Sequence, residues 1–320
     1  MALALLYPGQ GSQAVGMGKA LLEVSAAARQ VFAEADQALG EKLSQIILEG
    51  PADELKRTRN TQPAILTMSV ACHRALEERG AFEKQQPAFV AGHSLGEYSA
   101  LVAAGAMGFA DAVRAVRARG AFMQQAVPEG KGAMAAVLGM EADAIRAVVE
   151  QACAAEPYVA CANFNGPEQT VIAGSARGVE HATAALKAAG AKRVLPLPVS
   201  APFHCALMEP VKARLDEVLA QVTFTAPRVP VVTNVEATPN QDAARVRELL
   251  VAQVSAPVRF TEIVQSMLGA GVTTFVEVGP GKALIGMVKR MSKDVKLCNV
   301  EDPKSLDETL ALLAGQGHGA

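Results

Sequence analysis

The chain has few aromatic side chains and little charge. Aromatic residues make up 4% of the 320 positions, and tryptophan is absent. Charged residues make up 19%, and the formal net charge is −2. Nucleic-acid-binding surfaces use clustered basic residues and aromatic stacking platforms, so this composition argues against them. A hydrophobic content of 50% indicates a globular chain with a large core and excludes a disordered one.

Cysteine is also scarce, and no two cysteines form a C-x-x-C pair. The five are widely spaced: Cys72, Cys153, Cys161, Cys205 and Cys298. This pattern favours neither a disulfide framework nor a metal site, so we expect a reducing, cytoplasmic location. No apolar run reaches transmembrane length, and the apolar start meets Pro8-Gly9 too soon for a signal peptide. We therefore expect neither a membrane segment nor a leader.

The most specific pattern in the chain is the G-x-S-x-G pentapeptide Gly92-His93-Ser94-Leu95-Gly96. The apolar segment 87–91 before it predicts a buried strand, and the segment 97–104 after it predicts a helix. A strand that turns sharply into a helix at a serine is a nucleophile elbow. Ser94 and Glu97 also fit the S-x-x-E capping box, in which the serine only caps the helix. A cap requires neither the paired glycines nor the strand, so we favour a nucleophile.

Strands and helices alternate along most of the chain. Apolar strand patterns occur at Ala2–Tyr7, Phe89–Ala91, Val229–Asn234 and Thr274–Val278, with helical patterns between them. Alternation of this kind predicts an α/β fold whose mainly parallel sheet is covered by helices on both faces.

The pattern changes near Pro128. From there to residue 199 the predicted order is strand, helix, two strands, helix and strand, which is the βαββαβ order of ferredoxin-like units. We therefore predict a small ferredoxin-like domain over residues 129–199. It would be inserted into a large domain formed by residues 1–128 and 200–320.

A serine nucleophile needs a base, usually a histidine, and the chain has five. Three have simpler explanations as tail, solvated or packing residues: His318, His181 and His73. His93 adjoins Ser94, but neighbouring side chains at a strand end diverge. His204 lies on a loop where the chain returns to the large domain. It is our candidate base, and a structural loop histidine is the alternative.

The group that orients this base is not evident from the residues alone. No acid between Ser94 and His204 has a context typical of a hydrolase triad, so a neutral carbonyl is an alternative partner. Cys205 follows His204 directly, which suggests a thiol nucleophile. Adjacent side chains point to different sides, however, so we predict a packing role for Cys205.

Two glycine-rich turns resemble nucleotide-binding loops without completing them. Gly9-x-Gly11-x-x-Ala14 follows a strand, but the acid expected about twenty residues later is missing. We interpret this loop as a supplier of backbone N–H groups to an oxyanion hole. Gly279-Pro280-Gly281-Lys282 lacks the spacing of a phosphate loop and is predicted to be a strand-to-helix turn.

Four motifs occur together and in order: Pro8-Gly9-Gln10-Gly11-Ser12-Gln13, Gly92-His93-Ser94-Leu95-Gly96-Glu97-Tyr98, Phe203-His204 and Val278-Gly279-Pro280-Gly281. Jointly they resemble the malonyl-CoA:acyl-carrier-protein transacylases of bacterial fatty-acid synthesis, relatives of polyketide synthase acyltransferase domains. The resemblance covers essentially the whole chain. It implies a large α/β-hydrolase-like domain with the ferredoxin-like unit inserted.

The resemblance also implies site residues. The catalytic set is the nucleophile, the base, the carbonyl that orients the base, and two oxyanion-hole N–H donors: Ser94, His204, Gln253, Gln10 and Leu95. The substrate-binding set is an arginine for the malonyl carboxylate with its neighbours: Arg119, Gln10, His93 and Phe203. A guanidinium binds a carboxylate through two parallel hydrogen bonds. Without the resemblance, Arg119 is equally well explained as a cation near a helix C-terminus.

The implied reaction is a ping-pong transfer. Ser94 would take the malonyl group from coenzyme A as an ester with His204 as base, and pass it to the phosphopantetheine thiol of acyl carrier protein. No cofactor is implied. The implied partners are malonyl-CoA and an acidic carrier protein, which a patch of basic residues would dock: Lys282, Lys289, Arg290 and Lys293. We expect a monomer without nucleic-acid or membrane partners.

Three other functions use parts of the same evidence. A serine hydrolase or thioesterase shares the nucleophile and base but passes the acyl group to water. A nicotinamide-dependent enzyme is supported by the Gly9-x-Gly11-x-x-Ala14 loop alone. A non-catalytic carrier-binding module would not need Ser94, His204 and Arg119 together.

Overall fold

The computed structural model describes residues 2–83, 85–153, 158–199 and 201–315. The strands are β1 Ala2–Tyr7, β2 Phe89–Gly92, β3 Gly132–Leu138, β4 Val159–Gly166, β5 Gln169–Ser175, β6 Arg193–Pro196, β7 Val231–Val232, β8 Pro239–Asn240, β9 Val272–Val278 and β10 Lys296–Val300. The helices are α1 Lys19–Val24, α2 Ala26–Leu39, α3 Leu43–Glu49, α4 Ala52–Lys56, α5 Thr58–Glu78, α6 Gly96–Ala103, α7 Phe109–Ala126, α8 Ala142–Cys153, α9 Ala176–Ala188, α10 Glu209–Leu219, α11 Ala243–Gln253, α12 Phe260–Gly269, α13 Ala283–Met291 and α14 Pro303–Leu313.

The larger sheet is mainly parallel. Its strand order is β10-β9-β1-β2-β7-β8, and every pairing is parallel except the short one between β7 and β8. β1 is apolar along its whole length and is buried from Leu3 to Tyr7, as expected of a central parallel strand with both faces covered. The carboxyl ends of β1 and β2 lie side by side, with Tyr7 paired to Gly92.

The smaller sheet is antiparallel, with strand order β4-β5-β3-β6. The chain enters it at β3 and leaves it at β6, and α8 and α9 pack on its strands. One face forms a separate apolar cluster with these helices, which includes Val137, Ile145, Ile172 and Leu186. The predicted α/β fold with a mainly parallel sheet is therefore confirmed, and a second, antiparallel sheet accompanies it.

Backbone hydrogen bonds join the smaller sheet to the segment before α12. The Phe164 N–H donates to the Val258 carbonyl at 2.8 Å, and the Val258 N–H donates to the Ala162 carbonyl at 2.9 Å. The bridge holds the end of β4 against the segment before α12. It thereby brings polar residues of the small sheet to the edge where β1 and β2 end.

Two elements are shorter than the sequence predicts. The helical pattern from Met17 to Leu39 is divided at Ser25, whose side chain caps α2 by accepting from the Ala28 N–H. The strand expected over Val229–Asn234 is reduced to β7, because Thr233 and Asn234 leave the sheet to form a turn. None of the helices in the described residues combines the length and apolarity needed to span a membrane.

Candidate active site

Ser94 occupies a tight turn between β2 and α6. Its φ of 53° lies in the left-handed region, and its backbone N–H donates to Asn234 Oδ1 at 2.7 Å. The turn needs glycine on both sides because the backbones touch. A Cβ at Gly92 would lie 1.9 Å from the Gly96 carbonyl carbon, and one at Gly96 would lie 2.1 Å from the Tyr7 carbonyl oxygen. The sequence therefore produces a strand-to-helix elbow.

The Ser94 hydroxyl faces His204. Ser94 Oγ and His204 Nε2 are 2.7 Å apart. His204 Nδ1 lies 3.0 Å from the Gln253 carbonyl and 3.2 Å from the Ala256 carbonyl. Carbonyls only accept, so Nδ1 carries the proton, Nε2 is the acceptor, and Ser94 donates to it. Within the described residues no side chain caps α6, and its N-cap residue is Leu95, so the serine is not the helix cap.

The environment of His204 keeps its ring neutral. The side chain is buried, and burial is the main reason that its pKa falls to about 3. The positive charge of Arg119 lowers the pKa further, whereas the carbonyls of Gln253 and Ala256 oppose the shift. A neutral imidazole with a free Nε2 lone pair is the form that can take a proton from a hydroxyl.

Arg119 is a buried cation beside the nucleophile. It is 1% exposed, and its Nη2 donates to Ser94 Oγ at 3.1 Å and to Gln253 Oε1 at 2.8 Å. Nη1 donates to Gln62 Oε1 at 2.8 Å. Within the described ranges Nε has no acceptor, and the partners of this guanidinium are neutral. The guanidinium therefore retains a net positive charge, and its Nη2 lies beside the Ser94 hydroxyl.

The loop after β1 packs directly on the elbow. A Cβ at Gly9 would lie 2.5 Å from the His93 carbonyl oxygen, so the backbones of the two turns are in contact. Gln10 follows in this loop, and its side chain donates to Thr58 Oγ1 at 3.3 Å. In the part of the chain that the structure describes, the backbone N–H of neither Gln10 nor Leu95 donates to a protein atom. Both remain available to an acceptor from a ligand.

The remaining two predicted site residues are His93, which contacts the smaller sheet, and Phe203, which lies in the hydrophobic core. His93 Nε2 contacts Asn165 Oδ1 on β4 at 2.8 Å, away from the serine proton, as predicted from its diverging side chain. Phe203 precedes His204, and its ring is buried in the hydrophobic core that also contains Leu3, Leu5 and Tyr7 of β1. The structure therefore joins Ser94, His204, Arg119 and Gln253 by direct hydrogen bonds, whereas the contacts of Phe203 are apolar.

The other histidines lie elsewhere. His73 is buried and shares a hydrogen bond of 2.9 Å with the Tyr7 hydroxyl, and His181 is exposed. His318 lies outside the described residues. Cys205 is buried, with its thiol 3.1 Å from the Pro202 carbonyl, which agrees with packing.

Sequence reasoning missed several polar residues that complete the site. Asn234 Nδ2 donates to the Gly92 carbonyl at 2.7 Å, so one side chain holds both ends of the elbow turn. Glu97 Oε2 accepts from Gln253 Nε2 at 2.8 Å and from the Asn234 N–H at 3.0 Å. The sequence analysis considered Glu97 only as the capping-box partner of Ser94 and within the family motif. Asn234 gave no signal, since it lies far away in the sequence.

These features define a class of protein. A serine held against a neutral histidine, at the carboxyl edge of a parallel sheet, is the arrangement of enzymes that form acyl-serine intermediates. The model of the acyl transferase domain family matches residues 4–306. The chain belongs to this family.

Relatives of known name cover nearly the whole chain. The malonyl CoA-acyl carrier protein transacylase of Bacillus subtilis is 48% identical over 318 residues, which are 99% of each chain. That of Escherichia coli is 48% identical over 97% of this chain and 99% of its own. A crystal structure of an acyl carrier protein S-malonyltransferase from Vibrio cholerae superimposes with a TM-score of 0.92 at 47% identity, covering 96% of this chain and 99% of that chain. A malonyl-transacylase in complex with its type II polyketide synthase acyl-carrier protein gives a TM-score of 0.94 at 44% identity, over 98% of this chain and 100% of that one.

Proposed function

We propose that this enzyme transfers a malonyl group from coenzyme A to the phosphopantetheine thiol of acyl carrier protein, in fatty-acid biosynthesis. The observation that carries the proposal is the guanidinium of Arg119, which is buried, has no anionic partner among the described residues and lies 3.1 Å from Ser94 Oγ. Burying an unpaired charge costs free energy, so a buried guanidinium of this kind is expected to bind an anionic ligand. The free carboxylate of a malonyl group bound at Ser94 would meet this need.

The first half-reaction follows from the Ser94–His204 contact. Ser94 Oγ bonds to the thioester carbonyl carbon while His204 Nε2 takes the hydroxyl proton. The oxyanion that forms accepts hydrogen bonds from the N–H groups of Gln10 and Leu95. Its collapse breaks the C–S bond, His204 returns the proton to the coenzyme A thiolate, and malonyl-Ser94 remains.

The second half-reaction reverses these roles. The carrier thiol gives its proton to His204 Nε2 and bonds to the ester carbonyl carbon. Collapse breaks the C–O bond to Ser94, which takes the proton back. Neither step, as proposed, uses a cofactor. The names of the Bacillus subtilis and Escherichia coli relatives support the malonyl and carrier-protein substrates.

Binding of the malonyl carboxylate to Arg119 would also raise the pKa of His204. Arg119 lowers the pKa of His204, and a carboxylate paired with Arg119 cancels part of that effect. His204 therefore becomes a stronger base when the correct donor arrives. An acetyl group brings no carboxylate and leaves both the unpaired guanidinium and the weak base.

The same proposal extends to domain organisation. We assign residues 129–199 to a ferredoxin-like subdomain inserted into an α/β-hydrolase-like domain formed by residues 1–128 and 200–320. The strand order β4-β5-β3-β6 and the separate apolar cluster of the small sheet support this division. In this arrangement the catalytic residues belong to the large domain, and the subdomain contributes Asn165, whose side chain contacts His93.

Incubation of the pure protein with malonyl-CoA, without carrier protein, tests the function. Intact mass followed by peptide mapping should show one malonyl adduct on Ser94, which a pantetheine thiol discharges. Release of coenzyme A without an adduct would indicate hydrolysis and contradict the transfer mechanism. The Ser94→Ala variant is the control and should form no adduct.

A further inference from the structure

Glu97 is a buried acid without an ion-pair partner in the described part of the site. It is 2% exposed and lies on the first turn of α6, three residues after the nucleophile. Its Oε2 accepts two hydrogen bonds, one from Gln253 Nε2 at 2.8 Å and one from the Asn234 N–H at 3.0 Å. The proposed chemistry assigns it no proton transfer, so its burial there needs another explanation.

The Gln253 side chain connects this acid to Arg119. Gln253 Oε1 accepts from Arg119 Nη2 at 2.8 Å, while Gln253 Nε2 donates to Glu97 Oε2 and to the Ser94 carbonyl at 3.0 Å. A carboxylate only accepts and a guanidinium only donates, so the amide fits between them in one orientation. If the amide flipped, its NH₂ group would face Arg119 and its oxygen would face Glu97.

Gln253 also controls the base through its main chain, since its carbonyl accepts from His204 Nδ1. One residue thus contacts the base, the nucleophile's carbonyl and the arginine, and Glu97 fixes its side chain. Asn234 extends the same network, because its side chain holds the Ser94 N–H and its own N–H is held by Glu97.

We propose that Glu97 is a positioning residue that locks the Gln253 amide in one orientation and thereby holds Arg119 beside Ser94 for a carboxylate-bearing acyl group. This inference rests on the proposed malonyl transfer and names the residue that sets its donor selectivity. Burial lowers the pKa of Arg119, and the negative charge of Glu97 opposes that shift. Burial raises the pKa of Glu97 to about 7, opposed by the hydrogen bond from Gln253.

The test compares kcat/KM for malonyl-CoA and acetyl-CoA in Glu97→Leu and Glu97→Gln. Glu97→Leu removes Oε2, which accepts from Gln253 and from Asn234. We expect the ratio of kcat/KM for malonyl-CoA to that for acetyl-CoA to fall about tenfold or more. Glu97→Gln keeps an oxygen in place of Oε2 and should restore most of the ratio. Glu277→Leu is the matched control, since Glu277 is a fully buried acid on β9 outside this network, and it should leave the ratio unchanged.

A double-mutant cycle separates positioning from general damage. If Glu97 acts through the amide, Glu97→Leu in a Gln253→Leu background should not lower the ratio further. Additive losses, or a folded Glu97→Leu protein with the wild-type ratio, would overturn the inference. If Glu97→Leu does not fold, a Glu97→Gln variant whose ratio falls as far as that of Gln253→Leu would also overturn it.

Failure of the proposed malonyl transfer and failure of the role of Glu97 give different experimental results. Wild-type protein that forms no malonyl-Ser94 adduct refutes malonyl transfer itself. Labelling of Ser94 by phenylmethylsulfonyl fluoride, a neutral probe, reports the Ser94–His204 pair without a carboxylate. Glu97→Leu also removes the acceptor of the Asn234 N–H, so labelling should fall somewhat. Malonyl selectivity should fall further than labelling, because the serine–histidine contact does not pass through the Gln253 side chain. Equal loss of labelling and selectivity would refute the assigned role.

Discussion

At the scale of single residues, the site combines a buried cation with a histidine that burial, and to a lesser extent the cation, keeps neutral. Arg119 and His204 both contact Ser94 Oγ, and Gln253 contacts both of them. Arginine stays charged when buried, whereas histidine loses its proton. The charge of Arg119 is therefore available to a substrate, and the lone pair of His204 is available to the serine proton.

Replacement of Arg119 by methionine should change donor preference. The malonyl carboxylate loses two charge-assisted hydrogen bonds, so kcat/KM for malonyl-CoA should fall about 100-fold or more. Transfer from acetyl-CoA should be spared or improved, because no unpaired guanidinium remains. Steady-state kinetics with both donors measures this. Arg114→Met, an exposed arginine on the same helix that pairs with Asp111, is the control. Equal loss with both donors would mean that Arg119 is only structural.

The pH dependence of Ser94 labelling should reflect the lowered pKa of His204. Only the neutral ring accepts the serine proton, so wild-type labelling should persist on acidification through about pH 6.5, the ordinary histidine value. Arg119→Met removes a positive neighbour, so the pKa of His204 should rise and the acid limb should move to higher pH. The rate of labelling by phenylmethylsulfonyl fluoride across the pH range checks both.

Glu97 is a second titrating group near this site, with a pKa of about 7. Repeating the pH series in a Glu97→Gln background removes its contribution. An acid limb that stays in place after Arg119→Met would show that Arg119 does not control the base.

At the scale of elements, the elbow depends on close contact between β1, β2 and α6. Tyr7 pairs with Gly92, and the first turn of α6 lies against the Tyr7 carbonyl. The pentapeptide glycines are used for this close approach, whereas Ser94 itself takes the left-handed conformation. The strand and the helix were both predicted from the residues, but their contact with β1 was not.

Gly96→Ala should therefore damage the elbow. The added Cβ would lie 2.1 Å from the Tyr7 carbonyl oxygen, so α6 must move or the protein loses about 3 kcal/mol of unfolding free energy. Urea denaturation measures the stability, and Ser94 labelling measures the geometry. Gly286→Ala on α13 is the control, because its Cβ meets nothing within 4 Å and should stabilise the helix by up to about 1 kcal/mol. If the two variants behaved alike, the close packing of the elbow would be disproved.

At the scale of the whole molecule, the site lies between two sheets that the chain forms from different segments. β4 supplies Asn165 to His93, and the hydrogen bonds between β4 and Val258 hold β4 in this position.

The basic residues proposed to dock the carrier lie on and around α13. All four are exposed; Lys282 also pairs with Glu301, and Arg290 donates to Gln169.

Reversal of charge at Lys289 and Arg290 should weaken carrier docking. We expect the apparent KM for acyl carrier protein to rise about tenfold at low salt and less at high salt, because exposed charges are screened. The rate of Ser94 malonylation by malonyl-CoA should not change. Kinetics with varied carrier concentration at two salt concentrations test this, with Lys304→Glu on α14 as the control. An unchanged KM would exclude α13 as the docking surface.

The sequence by itself determined the α/β alternation, the strand-to-helix elbow, the elimination of other histidines and, through its motifs, the family. These follow from local patterns of apolar spacing and glycine. Only the tertiary structure decided what joins Arg119 to Ser94, or that Asn234 and Glu97 hold the elbow, since these partners lie as far as 159 residues apart. Side chains that act through hydrogen bonds across such distances leave no periodic signal, because their positions depend on the packing of the whole sheet.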